Sequence, residues 1–416
     1  MEWLRKKFRI LYSLGLGYWT RVALAIVLSF AITPFLDRHF GLIEIRNRLH
    51  QFLEKIDRGS LEPRYNTRVL YINDDEYWKG GKGDPAGRRP IKRDYLAKLV
   101  SAVDQANAAI IALDFDMRSP DPGTDEIPSD YADETKTFVE TILKVAAKRI
   151  VVLPKTVVYD GEGTAWLEPD FYDSYGLCDP VEKTRQWRHT QTGVEIKDHQ
   201  KKNIRCGYIL LPPDKRLLPG NLKIGNGGFL DSFGHAVAKA SDPKRVHDDA
   251  SRYGSYIPEK QFENDGTILS AREILNSADF AHNELAAKLV IVGAHWRALA
   301  ANRGDFTDMH STPVGTLPGA LIHANFVEAF LDGRTYGFTP EWLVPASDML
   351  LGFIAAAIFA FYPQFLNKLI ILIVLSGFLI VIELFALHFL GLFFDAFVVL
   401  FGVWFHSIGE SLIPEW

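Results

Sequence analysis

Acidic side chains stand directly after two apolar segments of this sequence, where they could bind a cation or a polar ligand. The two segments, 68–73 and 108–113, are typical of buried strands. The acids that follow them are Asp74, Asp75, Asp114 and Asp116. Carboxylate oxygens are the ligands that Ca²⁺ and Mg²⁺ prefer, so a divalent cation is one hypothesis. The alternative is a structural role, in which the acids bond to backbone amides or pair with arginines. The arginines considered as partners are Arg89, Arg93 and Arg297.

A second polar group lies between residues 305 and 323. Its members are Asp305, Asp308, Thr312 and His323, and Asp305 and Asp308 could join the four acids above in one cluster that binds a divalent cation. His323 could pack against backbone, contact a ligand or respond to pH. His310 lies nearby without zinc-type spacing, and the sequence contains neither a Walker loop nor a Gly-x-Ser-x-Gly elbow. Nucleotide hydrolysis and serine hydrolysis are therefore not indicated.

Hydrophobic periodicity predicts the elements that position these residues. Segment 92–106 carries apolar residues at helical spacing and separates the two strands. This order predicts a right-handed βαβ unit, with parallel strands that are near neighbours and whose acidic ends share one edge of a sheet. Ligands bind at that edge in open α/β sheets.

The remaining pattern predicts an α/β fold, with a mixed sheet and flanking helices. A capping box is expected from Ser270 and Glu273, and 157–202 is interpreted as a polar insertion. Further helices are predicted at 135–149, 232–239, 270–276 and 318–331. Further strands are predicted at 150–153, 208–211, 223–229 and 285–293.

The sequence contains two cysteines, Cys178 and Cys206. A disulfide between them is chemically permitted if this part of the chain lies outside the cytoplasm. Two unpaired core thiols are the alternative.

Four predominantly apolar segments, the first of them without any charged residue, predict membrane helices. They are 22–36, 343–361, 369–388 and 390–408. Basic residues precede the first segment, so we expect a cytoplasmic N-terminus; a cleaved signal peptide is the alternative. The expected organisation is a basic leader and first span (1–39), an extracytoplasmic domain (40–342), and three spans with a short cytoplasmic tail (343–416). The expected location is the inner (plasma) membrane.

Four ionisable residues fall within the C-terminal spans and are candidates for coupling the outer domain to the membrane helices. They are Asp348, Glu383, His388 and Asp395. With the predicted orientation all four lie near the outer ends of their helices, so interfacial residues that reach water are the alternative.

Several blocks of the sequence resemble the type-2 CHASE domain, an extracellular sensory domain associated with bacterial cyclases and histidine kinases. The blocks are VLYINDDEYW (69–78), KRDYLAKLVSAVDQANAAIIALDFDM (92–117), LAAKLVIVGAHW (285–296) and DFTDMHSTPVGTLPGALIHANFVEAFLDGR (305–334). The resemblance implies a mixed α/β sensory domain outside the membrane. Many such proteins continue into a cyclase, kinase or diguanylate-type domain, whereas this sequence stops after the third C-terminal span.

The resulting hypothesis is a sensor, without enzymatic activity, that signals to a separate partner protein. The candidate ligand-binding residues are Asp74, Asp75, Arg93, Asp114, Asp116, Asp308, Thr312 and His323. The expected partners are the lipid bilayer, an effector protein and a second copy of the chain, and no cofactor is expected beyond a divalent cation. A net charge of -5 gives no footprint for nucleic acid. A regulatory subunit of a membrane assembly and a metal-dependent extracytoplasmic hydrolase remain alternatives.

Overall fold

The computed structural model describes most of the central part of the chain and one apolar helix. The described residues are 66–79, 91–117, 129–178, 198–212, 217–246, 252–257, 266–299, 303–312, 315–338 and 364–393, without 162, 169 and 226, and the isolated residues 52, 53, 56, 346, 350, 353, 354 and 361. The chain divides into two compact units. One is Glu62–Thr335, here called the sensor unit because the sequence blocks that resemble a sensory domain lie within it, and the other comprises Met1–Leu61 and Tyr336–Trp416.

The sensor unit alternates strands with helices, as the periodicity predicts. Its strands are β1 Thr67–Asn73, β2 Ile110–Asp114, β3 Ile150–Lys155, β4 Val157–Tyr159, β5 Ala165–Leu167, β6 Ile204–Tyr208, β7 Leu217–Pro219, β8 Asn221–Lys223, β9 Phe229–Asp231, β10 Arg252–Ser255, β11 Ile268–Ser270, β12 Leu289–His295, β13 Arg297–Leu299, β14 Arg303–Phe306, β15 Met309–Thr312 and β16 Gly315–Pro318. Its helices are α1 Arg93–Gln105, α2 Tyr131–Ala146, α3 Phe171–Ser174, α4 Asp198–Asn203, α5 Phe233–Ser241, α6 Ala271–Asn276, α7 Ala278–Leu285 and α8 Gly319–Leu331. Strand β17, Thr335–Phe338, follows α8.

Six strands form the central sheet, in the order β11-β1-β12-β2-β3-β6, and every neighbouring pair is parallel. The prediction of an α/β fold is confirmed, whereas the prediction of a mixed sheet is wrong for these strands. Antiparallel pairing in the sensor unit occurs in short pairs such as β4–β5 and β15–β16. Strands β1 and β2 are parallel but not adjacent, because β12 lies between them.

Alternation along each strand sends neighbouring residues to opposite faces of the sheet. Ile111 and Leu113 of β2 pack in the core that includes residues of α1, α2, α6 and α7. Ile110 and Ala112 pack in the second core, which includes residues of α5 and α8. Asp114 continues the series of Ile110 and Ala112, and it therefore faces α8.

The N-terminus of α6 is capped from a distant segment rather than by the predicted capping box. Ser270 is the N-cap residue, but its side chain makes no capping hydrogen bond. Its hydroxyl instead donates to Oε1 of Glu76 at 2.6 Å, and that same oxygen accepts from the backbone N–H of Arg272. The buried Glu76 carboxylate therefore replaces the local cap, because it accepts from the Arg272 N–H in the first turn of α6, where the Ser270 hydroxyl makes no capping bond.

The predicted insertion contains regular structure at both ends. Strands β4 and β5 form a hairpin, and α3 and α4 follow it in the described residues. A disulfide joins Cys178 and Cys206, whose Cα atoms lie 5.8 Å apart. The bond links the chain after α3 to strand β6.

The second unit contains an apolar helix, α9 Phe365–Phe385, which continues as a π-helical turn, Ala386–Leu390. Among the described residues, Leu369–Leu390 is the one segment long and apolar enough to cross a membrane. Its exposed side chains include Ile370, Val374 and Phe378. Residues 22–36, and all but a few positions of 343–361 and 390–408, lie outside the described residues.

Candidate ligand site at the carboxyl edge of the sheet

The strand register decides which of the predicted acids lie together. Asp114 stands level with Gly293 of β12, and Gly293 stands level with Tyr71 of β1. Asp74 lies three residues beyond Tyr71, so it is roughly 10 Å further along the sheet and roughly 10 Å across it from Asp114. The two acids share an edge of the sheet but do not form one site.

Asp114 instead meets His323 of α8. Oδ1 of Asp114 lies 3.8 Å from Nε2 of His323, and both side chains are buried. The second carboxyl oxygen of Asp114 is buried and makes no hydrogen bond. His323 also packs edge-to-face against Phe233 of α5, at 5.2 Å between ring centroids. The predicted polar residues of two distant segments are thus brought together inside the protein.

A second acid–histidine pair lies at the first turn of α8. Nε2 of His310 lies 2.9 Å from Oδ1 of Asp308, and both groups are partly exposed. Asp308 has a positive φ of 56°, and its carbonyl oxygen accepts a hydrogen bond from the N–H of Gly319 at 2.9 Å. Any side chain at Gly319 would overlap the carboxyl group of Asp308. Glycine at this position therefore lets Asp308 close over the start of α8.

Burial disfavours the charged forms of both Asp114 and His323. Desolvation and the nearby charge of Asp308 raise the pKa of Asp114 well above its usual value. Desolvation lowers the pKa of His323 to about 4, although Asp308 and a hydrogen bond with the backbone of Ile209 oppose that change. Both effects favour a protonated carboxyl beside a neutral imidazole at neutral pH.

A close approach of helix to sheet fixes this geometry. A Cβ atom at Gly293 would overlap the Cβ of Ala320, in the first turn of α8. The same position lies 3.9 Å from Oδ2 of Asp114. Glycine in the middle strand therefore allows the start of α8 to rest directly on the carboxyl edge of the sheet.

A cavity of about 320 Å³ opens beside the start of α8. Its lining combines apolar side chains with two aromatic rings and two short polar side chains. The lining residues are Tyr71, Asn73, Ile268, Leu269, Ser270, His295, Pro318 and Leu321. The ring of His295 stacks between Tyr71 and Phe306, at centroid distances of 4.9 and 4.7 Å. This volume suits a small molecule, and the stacked rings offer a flat wall.

Asp74 and Asp75 are engaged in ion pairs of their own. Asp74 accepts a hydrogen bond from the backbone N–H of Arg297, and its Oδ2 lies 3.6 Å from Nε of that residue. The exposed Asp75 pairs with Lys79 at 2.8 Å, which lowers the pKa of Asp75. The pairing with Arg297 that the sequence allowed is therefore present, and neither acid lines the cavity.

Arg93, Asp116 and Thr312 also lie away from the Asp114–His323 pair. Arg93 is buried, with its guanidinium 4.5 Å from the centroid of the Tyr131 ring. The exposed Asp116 accepts a hydrogen bond from Thr156 at 3.1 Å. Thr312 donates to the carbonyl of Gly315 at 2.7 Å, which closes the β15–β16 turn.

The predicted cation site gains no support from the described residues. Nowhere in them do three or more acidic, histidine or cysteine side chains gather in a way that could hold a metal ion. The backbone of Asp305 lies in β14, and its side chain lies outside the described set.

Two of the four candidate coupling residues are described. Glu383 is buried in α9, and His388 is exposed in the π-helical turn that follows. The His388 ring contacts Phe389 edge-to-face at 4.6 Å. Asp348 and Asp395 lie outside the described residues, so the predicted polar cluster remains a prediction.

Sequence reasoning missed several buried polar residues that hold α8 and the sheet edge. Oε1 of Glu328 accepts hydrogen bonds from the N–H and the hydroxyl of Thr67, at 3.1 and 2.7 Å. The amide of Asn325 bonds to both backbone groups of Ile257, each at 2.8 Å. A polar residue within an otherwise apolar helix was the available signal, since such a residue needs a buried partner.

The comparisons with known proteins identify a family. The sequence model of the CHASE2 domain matches residues 38–362, which include the whole sensor unit. No curated protein and no solved structure matches the chain significantly.

Proposed function

This chain belongs to the CHASE2 domain family, a family of extracellular sensory domains, and on that premise we propose that it is a membrane-anchored sensor of a small molecule. The cavity beside the start of α8 is the observation that carries the proposal, because it lies at the edge where parallel sheets receive ligands. A flat, partly apolar molecule fits its stacked rings and aliphatic wall.

Helix α8 is the element that would pass on the binding event. Pro318 and Leu321 at its start line the cavity, and His323 one turn later contacts Asp114. The helix ends at Leu331, and the chain leaves the sensor unit after Thr335. A ligand that binds more tightly to one position of α8 would raise the population of that position. The segment that follows α8 would change its position with the helix.

The anchoring proposed here follows the hydropathy pattern. Four spans, of which Leu369–Leu390 is the one among the described residues, hold a multi-pass protein in the plasma membrane. Both termini lie in the cytoplasm, and the sensor unit lies outside. The signal passes to a separate effector protein, with a homodimer as the signalling form and without catalysis by this chain.

A topology experiment tests the anchoring. Alkaline phosphatase, which is active only outside the cytoplasm, is inserted after Asn264 in one fusion and placed after Trp416 in another. We expect activity from the first fusion and none from the second. Activity of the second fusion without activity of the first would contradict the sensing proposal.

A binding experiment tests the cavity. Purified full-length protein in detergent is dialysed against free nucleobases and aromatic amino acids, and retained compounds are measured. We expect retention that is lost in Ile268→Phe, which fills the cavity, and kept in Val158→Phe, which adds the same ring to an exposed strand. Retention that is equal in the two variants, or absent from the natural protein, would contradict the site.

A further inference from the structure

A second cavity, of about 460 Å³, lies at the opposite end of α8. Its lining residues come from α5 and the segment after it, from the end of α8 and the residues just after β7 and α8, and from the starts of β10 and β17. They are Gly220, His235, Arg245, Val246, Arg252, Phe330, Gly333 and Thr335. The thirteen residues of α8 separate it from the first cavity by roughly 15–20 Å, at 1.5 Å per residue. It is therefore a separate site, which does not rest on the sensor role.

The polar lining of this cavity is basic. Arg245 is exposed at its rim, Arg252 is half-buried, and His235 is buried. None of the described residues that line the cavity is acidic. Two arginines that line one cavity favour a carboxylate or a phosphate, which both match the planar fork of the guanidinium group.

His235 is held in a fixed orientation by Asp231. Nδ1 of His235 lies 3.1 Å from Oδ1 of Asp231, whose other oxygen lies 3.3 Å from Nζ of Lys239. Burial alone would raise the pKa of Asp231, but its interactions with His235 and Lys239 outweigh burial and lower the pKa. Asp231 therefore orients the imidazole, which adds a nitrogen-bearing ring to the polar lining of the cavity.

The other wall is apolar and rigid. The Phe330 ring packs edge-to-face on His235 at 5.0 Å between centroids. A Cβ atom at Gly254 would lie 2.7 Å from Cζ of Phe330, so the ring rests directly on the backbone of β10. Val246 is also buried here. A ligand of this cavity needs an apolar part as well as an anionic group.

Backbone bonds keep the mouth of the cavity in place. The N–H of Gly220 donates to the carbonyl of Arg252 at 2.9 Å, and the carbonyl of Gly220 accepts from the N–H of Ser232 at 2.8 Å. Nη1 of Arg252 donates to the carbonyl of Thr335 at 3.2 Å. Arg252 is therefore positioned before any ligand arrives, which lowers the entropic cost of binding.

We infer that this cavity binds a small soluble organic anion, with its carboxylate or phosphate group against Arg245, Arg252 and His235 and its apolar part against Phe330 and Val246.

Calorimetry on the purified full-length protein in a non-ionic detergent tests the inference. Benzoate and phenyl phosphate are the probes, and benzyl alcohol is the neutral control. We expect at least one anion to bind and benzyl alcohol not to bind. Arg245→Gln and Arg252→Gln should each weaken anion binding about tenfold or more, as loss of a charged hydrogen bond does. Lys244→Gln removes the same charge from an exposed residue that does not line the cavity, and it should leave binding unchanged.

Arg245 is exposed, so its variant tests the inference even if Arg252→Gln does not fold. Four results would overturn it: no heat with either anion, equal binding of benzyl alcohol, equal losses in the Lys244 and Arg245 variants, or binding of phosphatidylglycerol in mixed micelles without binding of the soluble anions. None of these results bears on the membrane topology or on binding in the first cavity. The inference and the proposed function can therefore fail independently.

Discussion

Oδ1 of Asp114 and Nε2 of His323 lie 3.8 Å apart in the core, beneath the first turn of α8. At its ordinary pKa the carboxyl of Asp114 would be charged at neutral pH, but burial disfavours the charged forms of both Asp114 and His323. The partly exposed Asp308 and His310 are the other titratable groups that act on the pair. The pair therefore gives the stability of the fold a dependence on pH that can be measured.

Asp114→Asn should stabilise the protein more at pH 8 than at pH 5. The pKa of Asp114 is raised in the folded protein. The stability that the protonated carboxyl contributes is therefore complete below the unfolded-state pKa near 3.8, and it is lost as pH rises toward the folded-state pKa. The asparagine amide does not ionise, so the variant does not lose stability in this way as pH rises. Thermal melts across this range should show a melting temperature a few degrees above that of the natural protein at pH 8.

Asp116→Asn is the control, because Asp116 is exposed. If the Asp114→Asn variant melts below the natural protein at pH 8, the carboxyl of Asp114 is charged and paired, and the prediction is wrong.

His323→Gln should remove a loss of stability that the natural protein shows as pH falls below 6.5. The pKa of His323 falls from 6.5 to about 4 in the folded protein, so stability is present above pH 6.5 and is lost as pH falls toward 4. The size of this slope is about 1.4 kcal/mol per pH unit. The readout is the slope of unfolding free energy against pH, since the loss of packing on Phe233 lowers stability at every pH.

The exposed His282 provides the matched control, His282→Gln. A slope that stays the same in the His323 variant would mean that other groups titrate in this window.

Gly293→Ala should destabilise the sensor unit by about 1–3 kcal/mol, because the added methyl group overlaps the Cβ of Ala320. Ala320→Gly in the same chain should restore part of that loss, and denaturant unfolding of both variants measures the coupling. Gly161→Ala is the control, since nothing lies within 4 Å of the added atom. Additive losses in the double variant would refute direct contact between helix and strand.

Lys155→Met should cost about 3–5 kcal/mol, as removal of one partner from a buried ion pair does. Nζ of the buried Lys155 lies 2.9 Å from Asp170 and 2.7 Å from Asp173. Burial raises the pKa of Asp170 to about 6, against the opposing charge of Lys155. The loss should therefore be smaller at pH 5, where Asp170 can take up a proton, than at pH 8.

Unfolding at both pH values checks this prediction, with Lys148→Met at an exposed pair as the control. Equal losses at the two pH values would contradict the role of Asp170.

Reduction of the Cys178–Cys206 bond should lower stability by about 3–4 kcal/mol, from the chain entropy of a loop with a sequence separation of 28. Melting with and without reductant measures the change, and thiol labelling verifies the redox state. Cys178→Ser with Cys206→Ser should melt like the reduced protein and should not respond to reductant. Labelling of both thiols in the unreduced native protein would contradict the bond.

Local pattern was sufficient for most of the elements around the site. The periodicity of 92–106 predicted α1, Arg93–Gln105, and the helix predicted at 318–331 matches α8, Gly319–Leu331. Local pattern failed for short strands whose positions depend on pairing with strands that are distant in the sequence. The predicted strand 208–211 lies instead at Ile204–Tyr208, where it pairs with β3, and the predicted strand 223–229 is the turn between β8 and β9.

The sequence by itself determined the family, the α/β class, and the fact that acids follow the buried strands, because these depend on residue type and on spacing within one segment. Only the tertiary structure decided which acids meet. Strand β12, which comes late in the chain, enters between β1 and β2 and leaves Asp74 with Arg297 and Asp114 with His323. Pairing between strands depends on contacts across long stretches of chain, and such contacts leave no period in the sequence.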